Sequence, residues 1–184
     1  AATTEEGRER GQHYRQVADE IRREVCAQGL DPSGRFFVQA YGSSEMDASL
    51  LHIALTGFLP ADDPRFLRTL EQVEQRLLKN GLLLRYDSDC CSDGLTPGEG
   101  TFLVCSFWLA DVYVLLGRQA QAQALYERLT GLCNDLGLLA EQYDPAGQRM
   151  LGNFPQAFSH IGIINTALNL HRAQCPVRDR ASCS

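Results

Sequence analysis

Two kinds of helical pattern alternate along the 184-residue chain. In the first kind, apolar residues recur at helical spacing with charges between them, which predicts an amphipathic outer helix. In the second kind, the residues are apolar nearly all round, which predicts a buried inner helix. Outer helices are predicted at about residues 5–28, 65–79 and 120–132, and inner helices at about 47–57, 101–116 and 157–170.

The connections between these helices repeat as well. A long connection follows every outer helix, and short turns join one unit to the next, which is typical of stacked helical hairpins. The segments VQAYG, LLRYD and AEQYD place three tyrosines in register, and a glycine is expected to close each outer helix. These residues are Tyr41, Tyr86 and Tyr143, and Gly29, Gly81 and Gly137. The long connections therefore emerge at one end of the stack, where function usually resides.

The predicted fold class is all-α, an α/α toroid of helical hairpins. Three hairpins are too few to close a ring, so the chain is either an open crescent or about half of an (α/α)6 barrel. We expect one domain over residues 1–172 and a flexible tail over 173–184. Half a barrel exposes apolar surface on its two unpaired sides, which predicts either a partner that supplies the missing N-terminal half-barrel or self-association.

Charge and composition exclude several classes of function. The net charge of −6 and the lack of a Lys/Arg stripe argue against a nucleic-acid surface. No apolar run approaches the roughly 18 to 20 residues that cross a bilayer, and the first residues are polar, so neither a membrane partner nor export is expected. The seven cysteines are odd in number and form no CxxC pair, which predicts reduced thiols in the cytoplasm.

A cluster of acids and cysteines lies at Asp87–Gly94, with the sequence DSDCCSDG. As a calcium loop, it has its third acid two positions late and Gly98 in place of the closing glutamate. As a zinc site, it has two adjacent cysteines without a partner pair at a usual spacing. We therefore expect a polar loop tip, no metal site and no cofactor.

The best candidate for a catalytic group is Glu141, in the run GLLAEQYDPAGQRMLGNFPQAFSH from Gly137 to His160. It follows the apolar Leu138, Leu139 and Ala140, where burial could hold and tune a carboxylate. The alternative is that Glu141 caps a neighbouring helix or forms an ion pair with it.

Three long segments resemble the C-terminal part of glycoside hydrolase family 15, which contains glucoamylases, glucodextranases and bacterial trehalases. They are PGEGTFLVCSFWLADVYVLLGR (97–118), NDLGLLAEQYDP (134–145) and LGNFPQAFSHIGIINTALNL (151–170). The segments YGSSEMDASLL (41–51) and GFLPADDPR (57–65) are similar to the bacterial branch. The resemblance covers about residues 12–172 and implies an (α/α)6 barrel with its active site at the long-loop end.

The resemblance implies that the α-glucosidic bond of a starch-type oligosaccharide or of trehalose is hydrolysed with inversion. Inversion uses two carboxyl groups roughly 6.5 to 9.5 Å apart, one as acid and one as base. Glu141 matches the general base. The substrate-binding positions implied are Arg85, Tyr86, Glu99, Tyr143, Gln156, Ser159 and His160. Local alternatives remain, in which Arg85 pairs with Asp87, Glu99 caps the helix at Thr101, and His160 is simply buried.

The chain departs from the family in one respect, because no residue matches the general acid, which the family carries upstream. Glu45 stands where the family has an ordinary helix-start acid, so we treat it as a cap or pocket residue. Since general acid catalysis contributes about 10² to 10⁴ in rate, the chain alone is expected to be a poor enzyme. The alternative function is a non-catalytic helical-repeat module that binds another protein or a sugar.

Overall fold

A computed structural model describes residues 4–86 and 100–171 of the chain. Glu99, the Asp87–Gly94 cluster and the expected tail lie outside these residues. The described part is mainly helical, as predicted. Its α-helices are α1 Glu5–Gln28, α2 His52–Leu55, α3 Pro64–Leu77, α4 Leu103–Leu115, α5 Gln119–Thr130 and α6 Ala157–His171. Its strands are β1 Leu78–Lys79, β2 Leu82–Leu83, β3 Thr101–Phe102, β4 Gln142–Asp144 and β5 Arg149–Leu151.

The first inner helix is shorter than predicted. Asp47 caps it by accepting a hydrogen bond from the Ser49 N–H at 2.7 Å, but the first turn, Ala48–Leu51, is a 3-10 helix. Only α2 follows it as α-helix, and the chain leaves the helical path at Gly57, whose φ is +75°. Glycine adopts that conformation without the steric cost that a side chain adds, so the helix ends there.

The glycines expected to close the outer helices have three different roles. Gly29 does cap α1, since its N–H donates to the Val25 carbonyl at 2.8 Å. Gly81, with φ +73°, instead lies in the turn between β1 and β2. Gly131 caps α5, and Gly137 follows only later in the connection. The predicted stops Gly81 and Gly137 are therefore wrong: α3 has Leu78 as its C-cap, and α5 ends at a different glycine, Gly131.

Helix α4 forms the centre of the core. Its residues are buried nearly all round, and it packs against α5, α6, α2 and the 3-10 turn before α2. Burial of this apolar surface is the main force that holds the hairpins together. The largest fully buried side chains of α4 are Leu103, Phe107 and Leu109.

Two small antiparallel sheets accompany the helices and were not predicted. One pairs β1 with β2, and the other has the order β3-β4-β5. The second sheet joins the start of α4 to the long connection before α6, because Thr101 pairs with Tyr143. It therefore fixes the loop that carries Glu141 against the end of the central helix.

The two terminal helices of the described stack expose apolar surface. α1 has no buried residue, and Tyr14 and Ile21 on it are exposed. α6 packs one face on α4, while Phe158, Ile161 and Ile164 are 60%, 51% and 58% exposed. Among the described residues, no helix is long and apolar enough to span a membrane.

Candidate active site

Glu141 is fixed at the start of the central helix by its backbone. The preceding Leu139 and Ala140 are buried, and Glu141 itself is half-buried. Its carbonyl accepts a hydrogen bond from the Leu103 N–H at 3.1 Å, and its N–H donates to the Asn153 carbonyl at 2.9 Å. The buried Leu139 and Ala140 therefore anchor the loop, and the Glu141 side chain follows them at the edge of the buried region.

Both side-chain hydrogen bonds of Glu141 go to one oxygen. Oε2 accepts from the Asn153 backbone N–H at 3.1 Å and from the Asn153 side-chain amide at 3.0 Å. Within the part of the chain that the structure describes, Oε1 accepts no hydrogen bond. Among the described residues, the Glu141 side chain neither caps a helix nor forms an ion pair, which were the two alternatives from the sequence.

Three of the predicted substrate-binding residues contact the backbone of the Glu141 loop. The Gln156 N–H donates to the Leu139 carbonyl at 3.0 Å, and the buried Ser159 hydroxyl donates to the Ala140 carbonyl at 2.7 Å. His160 Nδ1 donates to the Gln156 carbonyl at 2.7 Å, while its Nε2 accepts from the Leu139 N–H at 3.4 Å. The start of α6 thus holds residues 139–140, directly before the carboxylate.

Arg85 and Tyr86 form a second group around Asp47. The Arg85 guanidinium lies 5.8 Å from the centre of the Tyr86 ring, and its Nε is 3.8 Å from Asp47 Oδ2. Arg85 is 59% exposed and Asp47 only 7%, so this ion pair contributes little to stability and leaves guanidinium N–H groups available. The described partner of Arg85 is therefore Asp47, while the suggested partner Asp87 lies outside the described residues.

The first turns of α4 connect the two groups. Leu103 bonds the carbonyl of Glu141, and Cys105, on the same helix, is close enough to Asp47 and Arg85 for both to act on its thiol. Burial is the main cause that raises the pKa of Cys105, Asp47 raises it further, and Arg85 opposes them. Both groups therefore lie at the N-terminal end of α4.

Tyr143 is positioned by the three-stranded sheet. Its carbonyl accepts a hydrogen bond from the Thr101 hydroxyl at 3.0 Å, and its half-buried side chain packs against the core. The strands approach so closely that a Cβ at Gly100 would lie 2.6 Å from the Tyr143 carbonyl oxygen. Glu99 directly precedes this glycine in the sequence.

Glu45 takes part in a local turn. Its N–H is bonded to the Ser43 hydroxyl at 3.0 Å, and its carboxylate accepts from the Ser44 hydroxyl. Among the described residues, no group of three His, Cys, Asp or Glu side chains could hold a metal ion.

Sequence reasoning missed two residues of this region. Asn153 was given no role, although it supplies both hydrogen bonds to the Glu141 side chain, and Asp47 was placed only at the start of the first inner helix. Their partners are Glu141 and Arg85, which lie far from them in the sequence. The one local signal was the Gly152-Asn153 pair, which is a turn sequence just before an inner helix.

Residues 2–168 match the family model of Glycosyl hydrolases family 15. The chain belongs to this family. Relatives include a trehalase of Mycobacterium tuberculosis, 44% identical over 89% of this chain and 24% of that protein, and a trehalase of Thermoplasma acidophilum, 42% identical over 87% of this chain and 27% of that protein. The chain thus spans about a quarter of the length of these relatives.

Solved glycosidase structures share the fold of this family 15 chain. One superposes with a TM-score of 0.68 at 24% identity, over 91% of this chain and 43% of that glycosidase. A variant of a glycosidase in complex with glucose superposes with a TM-score of 0.63 at 21% identity, over 90% of this chain and 41% of its own length. The predicted family and the predicted all-α fold class are confirmed.

Proposed function

We propose that this family 15 chain forms part of a glycosidase that hydrolyses an α-glucosidic bond with inversion, and that Glu141 is its general base. The observation that carries the proposal is the Glu141 carboxylate, with Oε2 held by Asn153 and Oε1 without a partner among the described residues. A general base needs an oxygen within hydrogen-bond reach of the water that it deprotonates, and Oε1 is the oxygen of Glu141 that no described residue occupies.

In the proposed reaction, Oε1 of Glu141 takes a proton from a water molecule. The water oxygen forms a bond to the anomeric carbon from the face opposite the leaving group, and the glycosidic carbon–oxygen bond breaks. The bond's electron pair passes to the leaving oxygen, which takes a proton from a carboxylic acid. We place that acid in the part of the family fold that this chain does not span, so the chain alone should be slow.

We assign sugar contacts to the groups at the N-terminal end of α4. The exposed guanidinium of Arg85 has N–H groups that fit sugar hydroxyls, and the ring of Tyr86 offers an apolar surface beside it. Tyr143 and Glu99 belong to the same proposed pocket. We assign Gln156, Ser159 and His160 to this pocket as well, where they also hold residues 139–140.

Trehalose is the substrate that we propose first among α-glucosides, because the relatives described above are trehalases. The test is a chimera in which this chain replaces the matching segment of the mycobacterial trehalase. We expect the chimera to hydrolyse trehalose, and the isolated chain to be at least a hundredfold slower because it lacks the acid. Proton NMR of the first products distinguishes inversion, which yields one α-glucose and one β-glucose per trehalose, from retention, which yields only α-glucose.

Three results would change the proposal in different ways. Hydrolysis of maltose without hydrolysis of trehalose would reassign the substrate to starch-type oligosaccharides. Release of α-glucose alone would contradict inversion. A chimera that unfolds cooperatively but hydrolyses neither sugar would contradict the enzyme function and favour a non-catalytic binding module.

We also propose that the rest of a family 15 fold covers the two exposed ends of this stack. This chain matches only 43% of the length of the similar glycosidase. Apolar side chains on α1 and α6 are exposed at the ends of the described stack. Exposed apolar surface of this kind usually marks an interface. Further helices of the same fold suit this surface, and we expect them to pack against it through apolar contacts, as α4 packs against α6.

Ile161→Glu tests this interface in two settings. In the isolated chain we expect the free energy of unfolding to change by no more than about 0.5 kcal/mol, because the side chain is half exposed. In the chimera we expect a loss of several degrees in Tm, because the charge would be buried without a partner. The exposed Leu136→Glu, on a loop, is the control in both settings. Equal effects of Ile161→Glu in the two settings would contradict the interface, and sedimentation of the isolated chain would detect self-association instead.

A further inference from the structure

The carboxylate of Glu141 is held from one side only, by a single residue, Asn153. Asn153 donates its backbone N–H and its side-chain amide to the same oxygen, Oε2, at 3.1 and 3.0 Å. The peptide groups also pair in the opposite direction, since the Glu141 N–H donates to the Asn153 carbonyl at 2.9 Å. Asn153 is thereby fixed to the backbone of the residue whose side chain it binds.

Gly152 provides the space for this arrangement. Its φ is +73°, and a Cβ there would lie 2.7 Å from Glu141 Oε2 and 3.0 Å from Glu141 Cβ. A side chain at position 152 would therefore be strained in its backbone, and it would also push the carboxylate away from the Asn153 donors.

We infer that Gly152 and Asn153 form a clamp that orients the Glu141 carboxylate, so that Oε1 is the atom that takes the proton from water. The inference rests on the proposed function of Glu141 and adds Asn153 as a positioning residue. Two donors on Oε2 define the rotation of the carboxyl group, because charge-assisted hydrogen bonds are the strong ones. The clamp thus determines the direction of its open oxygen.

Neighbouring titratable groups are engaged elsewhere. Asp144 accepts hydrogen bonds from the Ala146 and Gly147 N–H groups of its own turn and pairs with Arg149. His160 is bonded to Gln156 and Leu139. Among the described residues, the Glu141 side chain therefore depends on Asn153 for its hydrogen bonds.

The first variant is Asn153→Ala, which removes the amide donor and keeps the backbone N–H. In the active chimera we expect kcat to fall about ten- to hundredfold, with KM changed less than threefold, because a hydrogen bond to a charged group is lost. Gln75→Ala, on the exposed face of α3, is the matched control for loss of an amide.

A second measurement does not depend on activity. In the isolated 184-residue chain, carbon-detected NMR of the labelled Glu141 carboxyl group reports the hydrogen bonds that its oxygens accept. We expect the chemical shift of the carboxyl carbon to change in Asn153→Ala, which removes one donor to Oε2, and to stay unchanged in Gln75→Ala. An unchanged chemical shift together with an unchanged kcat in Asn153→Ala would overturn the clamp. Full activity of Glu141→Gln in the chimera would instead overturn the proposed function, so the two failures are distinguishable.

Discussion

Glu141→Gln in the chimera is expected to lower kcat on trehalose by about 10² to 10⁴. The amide has nearly the shape of the carboxylate, and one of its atoms can still face Asn153, but it cannot take a proton from water. The change therefore removes base catalysis while it keeps the volume of the side chain. The measurement is initial-rate hydrolysis at saturating trehalose, with circular dichroism to verify folding. Glu71→Gln, on the exposed face of α3, is the matched control and should keep full activity.

Rescue by azide would separate a base from a residue that only binds substrate. Glu141→Ala leaves space beside the anomeric carbon, and azide attacks as an anion that needs no deprotonation. The azide nitrogen would bond to carbon from the face opposite the leaving oxygen, which still takes its proton from the acid. We expect β-glucosyl azide as the product and recovery of part of the lost rate. A variant that loses activity and gains nothing from azide would contradict the base assignment and favour a binding role for Glu141.

The helices were predictable because their signal is local. The residues that become α4 are apolar on all sides, and only a helix buried on all sides accommodates such a run. The amphipathic patterns of α1, α3 and α5 gave bounds close to those observed. The same periodicity does not report which neighbours are present. The apolar exposure at the two ends of the stack was instead expected from the number of hairpins, and the structure locates it on α1 and on one face of α6.

The details of the site were less predictable because they depend on residues far apart in the sequence. The short strands β3 and β4 pair across some forty residues, and two- or three-residue strands carry no alternation that a sequence could reveal. The contact of Asn153 with Glu141 and that of Asp47 with Arg85 arise only when the loops fold onto the start of α4. Glu141 was singled out by the apolar residues before it, but its role as general base came only from the resemblance to the family.

Phe107→Ala is expected to lower the free energy of unfolding of the 184-residue chain by about 3 to 5 kcal/mol. Phe107 is fully buried on α4, with the Tyr126 ring of α5 edge-on at 6.4 Å. On its other side, α6 approaches so closely that a Cβ at Gly162 would lie 2.6 Å from the Phe107 ring. A glycine at this crossing lets the two helices meet, and the ring fills the space between α4, α5 and α6. Its removal would therefore leave a cavity at the point where three helices join.

The matched control is Phe158→Ala, which deletes the same atoms from a ring that is 60% exposed. Its free energy of unfolding should change by less than about 0.5 kcal/mol, because little burial is lost. Both variants are compared with the parent chain by urea denaturation. If the dependence of the unfolding free energy on urea concentration has the same slope in all three, the shifts of the urea midpoints report changes in stability. Similar losses for the two phenylalanines would contradict a core centred on α4. A large loss for Phe107→Ala alone would mean that these hairpins form a stable unit before any further helices of the family fold cover their ends.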